Sequence, residues 1–293
     1  MRDMRPRTEE WVEAAKAGRR DALEHLILRI QDKIYGLALK MLGHPEDAED
    51  ASQEILIKII TMLGGFRAEC PFETWMYRVA SNHLLTTRKR RAERTGFPLE
   101  EVEGRGGDTT ADAGRDSRAY PTDPTDPERK LLDEEVRMRC LQATLLALNR
   151  KERLAFIFGE IFQVSSKEGA QILESTPGAF RKRLSRARKR VYEFMGNCGL
   201  VAASAPCRCA AVAADGVRSG WLTSDSLLFA GKPCSSPETS PATEGMNAFL
   251  ERWDEIKRRA ELFRSYPEYR APGAFVSLAK DLLEVGSGND TVH

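Results

Sequence analysis

Apolar positions along this chain recur at helical spacing in two blocks separated by a polar gap. In ALEHLILRIQDKIYGLALKML, Leu23, Leu26, Ile27, Ile30, Ile34, Leu37, Ala38 and Met41 follow steps of three and four, which places them on one face of a period-3.6 helix. Thr8 with Glu9 and Glu10 marks an earlier helix start, Gly18 its stop, and Asp21 the start of the long helix, because acidic residues suit a helix amino end. Gly43-His44-Pro45 breaks the chain, and Pro45 suits the donor-free first turn of the next helix, whose inner face is Ala48, Ala51, Ile55 and Ile59. Beyond Gly64-Gly65, a loop through Phe66, Arg67, Cys70 and Pro71 leads to a helix over about 72–87. Phe72, Trp75, Met76, Val79 and Ala80 form its apolar stripe and leave Tyr77, Arg78, Ser81 and Asn82 on other faces.

The second block ends in TPGAFRKRLSRARKRVYEFM. Thr176 can cap a new helix and Pro177 suits its first position; Phe180, Leu184, Ala187, Val191 and Phe194 then line one face. The other faces carry Arg181, Lys182, Arg183, Arg186, Arg188, Lys189 and Arg190 with no acid among them, a stripe that a polyanion would screen. A solvated basic face is the competing reading. Upstream, Ser165 with Glu168 fits a reciprocal capping box opening a short helix through Ala170, Ile172 and Leu173, with a turn at Glu174 to Thr176. Two helices joined by so short a turn, the second basic and amphipathic, make a helix-turn-helix that reads duplex DNA from its second helix.

Composition sharpens this. The 293 residues hold 45 Lys and Arg against 44 Asp and Glu, so any DNA-binding charge must come from segregation along the chain. Acids collect elsewhere: Asp47, Asp50 and Glu54 stack on one side of a helix with Gln53 beside them, opposite the apolar face. Between the blocks, EGRGGDTTADAGRDSRAYPTDPTDPE lacks an apolar period and its acids outnumber its arginines, so it reads as a flexible acidic linker. Arg88, Lys89, Arg90 and Arg91 end the preceding helix and exceed what capping needs, which favours phosphate contact. There is no apolar signal core or span-length apolar run, which places the protein in the cytoplasm, away from membranes.

Six cysteines are too few and too unevenly spaced for a secreted disulfide scaffold, and Cys70 and Cys140 read as reduced, buried small apolar residues. Cys198, Cys207 and Cys209, with Cys234 further on, could close a tetrahedral zinc site, but their spacing lacks paired C-x2-C knuckles; plain reduced cysteines and no cofactor are the favoured reading. Residues 210–243, rich in Ala, Ser, Gly and Pro, read as linker. Met246, Phe249, Trp253, Ile256, Ala260 and Phe263 then repeat at three and four, followed by a shorter helix carrying Phe275, Leu278, Ala279 and Leu282. Two such helices cannot build a large core alone, so they are expected to dock on one of the helical domains or on a partner.

YGLALKMLGHPEDAEDASQEILIKI, FRAECPFETWMYRVASN and LNRKERLAFIFGEIFQVSSKEGAQILESTPGAFRKRLSRARKRV together resemble conserved regions two and four of bacterial extracytoplasmic-function RNA polymerase sigma factors, in the family's order, over about two-thirds of the chain. The resemblance implies an all-α fold: a region-two bundle (8–91), an acidic flexible linker (92–128), a region-four helix-turn-helix (129–196), a Cys-containing segment and linker (197–243) and a helical carboxyl-terminal extension (244–286). It implies core RNA polymerase, through its β′ clamp and β subunits, and promoter DNA as partners. Asp47, Asp50, Gln53 and Glu54 would dock on the β′ clamp helices. Phe66, Arg67, Tyr77, Arg78, Asn82, Arg88, Lys89 and Arg90 would serve the minus-ten element, Asn82 meeting a flipped base with Phe66 beside it, while Trp75 belongs to the core. Arg181, Lys182, Ser185 and Arg186 would face the minus-thirty-five groove, with Arg183, Arg188 and Arg190 nearer phosphates. The acidic linker would thread the polymerase channel where RNA runs, or act as a solvated spacer.

Two departures stand out. Gly169 and Ser175 replace the family's apolar core residues, each a loss of about 1–3 kcal/mol of burial, so region four is expected to be marginal or covered. The extension is the candidate cover, regulating in cis in place of a separate anti-sigma factor. No Ser/His/Asp set, phosphate loop or paired-carboxylate site is present, and His25, His44, His83 and His293 are scattered, which argues for a binding factor rather than an enzyme. The rival is a free-standing helix-turn-helix regulator, which has no use for the Asp47/Asp50/Glu54 stripe; a sensor built on the cysteine tail would leave both DNA-reading regions idle.

Overall fold

The computed structural model of the 293-residue chain describes residues 5–87, 120–123, 125–197, 209–225, 227–230, 263–264 and 268–272. Every regular element among them is helical. Helices α1 (Arg5–Lys16), α2 (Arg20–Leu42), α3 (Pro45–Met62) and α4 (Phe72–Thr86) make the first domain, with a 3-10 turn at Leu63–Gly65. Helices α5 (Pro127–Leu146), α6 (Arg150–Phe156), α7 (Ser166–Ile172) and α8 (Pro177–Asn197) make the second, α6 running on into a π turn at Ile157–Ile161. Helix α9 (Cys209–Arg218) follows.

All eight apolar positions read from the α2 pattern are buried, as are Ala48, Ala51, Ile55 and Ile59 of α3. Helix α1 begins at Arg5 rather than Thr8, and Thr8 is itself buried. The α2–α3 corner follows from local chemistry. Gly43 takes the left-handed conformation at φ +80°, its N–H donates to Leu39 O at 2.9 Å, and Pro45 opens α3 without a missing donor. A Cβ at Gly43 would also meet Leu146 of α5 at 2.7 Å, so glycine is needed for close approach as well as for backbone freedom.

In the second domain each start carries a cap. Asp126 accepts from Glu128 N at 2.8 Å, Asn149 from Glu152 N at 3.0 Å, and Thr176 from Ala179 N at 3.1 Å. Ser165 and Glu168 complete the capping box reciprocally, at 3.2 and 3.0 Å. Since Asp126 is a cap, α5 claims the last residues that the sequence assigns to the linker. On α8, Phe180, Leu184, Ala187 and Val191 are buried as the pattern requires, but the stripe closes with Met195 and leaves Phe194 half-buried. Four-residue steps from Ala187 lead to Met195, which stays over the partner helices while Phe194 rotates off them.

Two expectations are corrected. The Gly169 position is not a void: a Cβ there would lie 2.4 Å from the Phe180 ring, which already fills the space. Residues 209–230, read as linker, form α9 and a packed segment on α5, burying Leu132, Val136, Cys140, Ala213 and Leu222 in one cluster. The small residues that look flexible by composition let the backbone pass close to its neighbours; a Cβ on Gly216 would strike the Trp221 ring at 2.7 Å. Of the amphipathic helices read beyond Met246, only Phe263 and Arg264 are described, and Phe263 is fully buried with its ring 5.0 Å from that of Phe156.

The two domains are in contact, and polar side chains of the second cap helix ends of the first. Gln142 Nε2 donates to Lys40 O at 3.1 Å. The Arg153 guanidinium, 3% exposed, donates to Leu145 O at 2.9 Å, Leu148 O at 2.9 Å and Leu146 O at 3.1 Å, and across the seam to Met41 O. Arg150 reaches the carboxyl end of α4 at Leu85 O, 3.3 Å, and Thr87 O. Cations at helix carboxyl ends satisfy orphan carbonyls and favour the helix dipole.

Candidate nucleic-acid interface

Three surfaces carry the residues singled out in the sequence. On α3, burial of Ala48, Ala51 and Ile55 turns Asp50 and Glu54 into solvent, with Asp47 and Gln53 half-buried at the edge. The four therefore form one acidic face. Its floor is held by α4: His83 is buried with Nε2 3.4 Å from Glu54 Oε2 and Nδ1 2.7 Å from Lys58 Nζ.

The loop and α4 form the second surface. The 3-10 turn, closed by Phe66 N donating to Leu63 O at 3.0 Å, directs Phe66 inward. Its ring lies 5.7 Å from Phe72 and 5.3 Å from Trp75, and only 7% of the residue is exposed. Phe66 is thus a core ring in this conformation rather than a presented one, and Trp75 packs with it as expected; Arg67 next door is exposed. Tyr77, Arg78 and Asn82 all face the second domain. The Tyr77 ring lies 5.3 Å from Phe158 and 5.6 Å from Phe162, and burial, then the Glu73 charge, pushes its phenol well above the usual range. Arg78 Nε donates to Gln171 O at 3.0 Å, and Asn82 Nδ2 donates to Glu174 Oε2 at 3.0 Å. Arg88, Lys89 and Arg90 lie outside the described residues.

The third surface is α8. Arg181, Lys182, Ser185 and Arg186 are exposed on one side and Arg183 is half-buried. Arg188 and Arg190 are exposed but engaged: Arg188 Nε donates to Glu160 Oε1 at 2.7 Å and Arg190 Nη1 to Glu152 Oε2 at 2.5 Å. Glu160 and Glu152 are themselves buried, so the pairs orient these arginines along the helix rather than leaving them mobile. Ser175, in the turn before α8, keeps its buried Oγ without a hydrogen-bond partner.

The sequence pattern did not reveal the groups that α4 meets across the seam, above all Glu174 and the Gln171 carbonyl, because they belong to an element about ninety residues away. Arg153 stands at the edge of the apolar run LAFIF, directly after Arg150, Lys151 and Glu152, so nothing in its neighbours marks it as buried. Cys198, Cys207 and Cys234 lie outside the described residues, Cys209 begins α9, and no group of three or more candidate metal ligands occurs among the described residues. Among those residues no helix is long and apolar enough to cross a membrane.

Comparison with known proteins matches this arrangement to two family models, Sigma-70 region 2 over residues 26–95 and Sigma-70, region 4 over residues 138–191. The RNA polymerase sigma-H factor of Pseudomonas aeruginosa is 30% identical over 187 residues, 62% of this chain and 91% of that protein. The ECF RNA polymerase sigma factor SigW of Bacillus subtilis is 30% identical over 179 residues, 61% of this chain and 91% of its own length. Among solved structures, CnrH in complex with the cytosolic domain of CnrY matches with a TM-score of 0.45 and 21% identity, covering 65% of this chain and 97% of that one. With both regions matched in order and nearly the whole length of these relatives covered, the chain belongs to the extracytoplasmic-function group of the sigma-70 family of RNA polymerase sigma factors.

Proposed function

We propose that each of the three surfaces serves one step of a sigma factor's work, which is to bind core RNA polymerase and direct promoter-specific transcription initiation. The acidic face of α3 docks on the polymerase, α4 with the Phe66–Arg67 loop reads the minus-ten element, and α8 reads the minus-thirty-five element. The factor acts by binding and positioning rather than by catalysis of its own.

The observation that carries this reading is the separation of opposite charges onto different surfaces. Asp50 and Glu54 project from α3 on the first domain, while Arg181, Lys182 and Arg186 project from α8 on the second. A carboxylate face suits a basic protein helix and repels DNA, whereas an unbroken basic face suits phosphates and base edges. Asn82 on α4 offers both a donor and an acceptor to an unstacked base once Glu174 releases it.

Replacing Asp50 and Glu54 with Lys tests the assignment. Affinity for core polymerase is expected to fall at least tenfold, while binding of a duplex carrying only a minus-thirty-five element stays within twofold of the parent. Unchanged polymerase binding in this double variant would remove α3 from the docking role and favour a free-standing DNA-binding regulator.

A further inference from the structure

We infer that the carboxyl-terminal segment of this chain is a strap that holds the two DNA-reading domains closed on each other. The inference builds on the assignment of α4 as a promoter reader, because that helix is what the second domain engages in the closed arrangement. Tyr77 packs on Phe158 and Phe162, Arg78 holds the Gln171 carbonyl, and Asn82 holds Glu174. Asn82 itself stays exposed, but its amide is tied to Glu174, and Tyr77 and Arg78 beside it are held by the second domain, so a base that takes this face must displace those contacts, and promoter engagement requires the domains to part.

The strap has an anchor on the second domain and a hold on each side of the seam. The anchor is Glu135 of α5, fully buried, whose carboxylate accepts from the backbone amides of Leu228, Phe229 and Ala230 at 2.9, 2.8 and 2.8 Å and from Arg139 Nε at 2.6 Å. An ionised carboxylate is buried at tolerable cost only when donors surround it, and three of these four come from the chain beyond α9. Further on, Phe263 packs fully buried against Phe156, and Arg264 Nε donates to Glu160 O at 3.0 Å, both on the second domain. A few residues later Ala271 N donates to Asp32 Oδ1 at 2.8 Å, and Asp32 lies on α2 of the first domain. The buried Tyr269 ring, 6.5 Å from Phe229, ties this crossing back to the anchored segment.

A segment that touches both domains across their seam keeps all of its contacts only while they are closed. It therefore favours the closed state by the difference in contacts, and the apparent affinity for any partner that needs the open state falls in proportion to the open fraction. The strap's Arg264 also shares Glu160 with Arg188 of α8, so it sits beside the second DNA-reading surface.

The test uses the full-length chain carrying Phe263→Ser and Arg264→Glu together. Affinity for core polymerase and yield of promoter-specific transcript are both expected to rise at least fivefold, with Asp32→Ala giving a smaller gain in the same direction. Hydrogen exchange on the unaltered protein provides a readout independent of how the variants fold: amides in the peptide covering 263–272 should lose protection when core polymerase is added. Protection retained in the polymerase-bound protein, or no gain in affinity from a double variant that melts cooperatively, would overturn the strap. If the double variant gains polymerase affinity but Asn82→Ala leaves promoter opening intact, the strap stands and the role given to α4 falls.

Discussion

In the first domain, α2 is enclosed by aliphatic side chains, and Leu26, Ile34, Leu37, Met41 and Leu42 are at most 1% exposed. In the second, aromatic rings share the interior with Glu135, Glu152, Arg153 and Glu160, each 6% exposed or less. The first core gains mainly from aliphatic burial that asks for fit, with the titratable Lys40 and His83 as exceptions buried in it. The second depends on charged groups that are tolerable only while every partner is in place, and several partners belong to other parts of the chain. Arg153 needs Met41 O of the first domain, and Glu135 needs the amides of 228–230. The domain with the more aliphatic interior is thus the one that carries the acidic α3 face. The dependent domain can be coupled to what lies next to it, which is how a regulated DNA reader can sense whether it is covered.

The sharpest way to break this contrast is Arg153→Met. It leaves carbonyls at the ends of α2 and α5 without their donor and is expected to cost about 3–5 kcal/mol, the range for removing one partner of a buried charged network. Urea denaturation followed by circular dichroism should show the second domain unfolding first, as a separate transition. Leu37→Ala attacks the other side. It creates a cavity worth about 2–5 kcal/mol in the aliphatic core, and the early transition should then belong to the first domain. Gly169→Ala sharpens the comparison with a smaller effect. Its Cβ would collide with the Phe180 ring, so despite the better helix propensity of Ala the variant should lose about 1–2 kcal/mol, an overpacking cost measured by thermal melting. Raised stability in that variant would mean that the Phe180 ring yields easily and that the second core is looser than its packing indicates.

Much of the local structure was legible because helix ends and faces are short-range matters. The Ser165–Glu168 box, the Thr176 cap, the Gly43–Pro45 corner and the buried faces of α2, α3 and α8 need only residues within a few turns of each other. Residues 209–230 were misread because composition cannot separate small residues that flex from small residues that allow close packing. Gly169 was misread for a related reason. Whether a missing side chain leaves a hole depends on what fills it, and Phe180 comes from the next helix. Phe66 was placed beside the base-meeting Asn82 by its position in a motif, whereas the burial of its ring against Phe72 and Trp75 follows from the 3-10 turn before it and was not legible there.

The amino-acid sequence alone determined which faces of the helices are apolar and where the acids and the basic stripe lie, since periodicity and charge segregation are properties of neighbouring residues, and its motifs carried the resemblance to a sigma factor. Only the tertiary structure decided that the two domains pack on each other and that residues of the carboxyl-terminal segment contact both. Those contacts join Asn82 to Glu174, Glu135 to Phe229 and Asp32 to Ala271, pairs whose separation along the chain leaves no periodic trace and whose meeting depends on how whole domains pack.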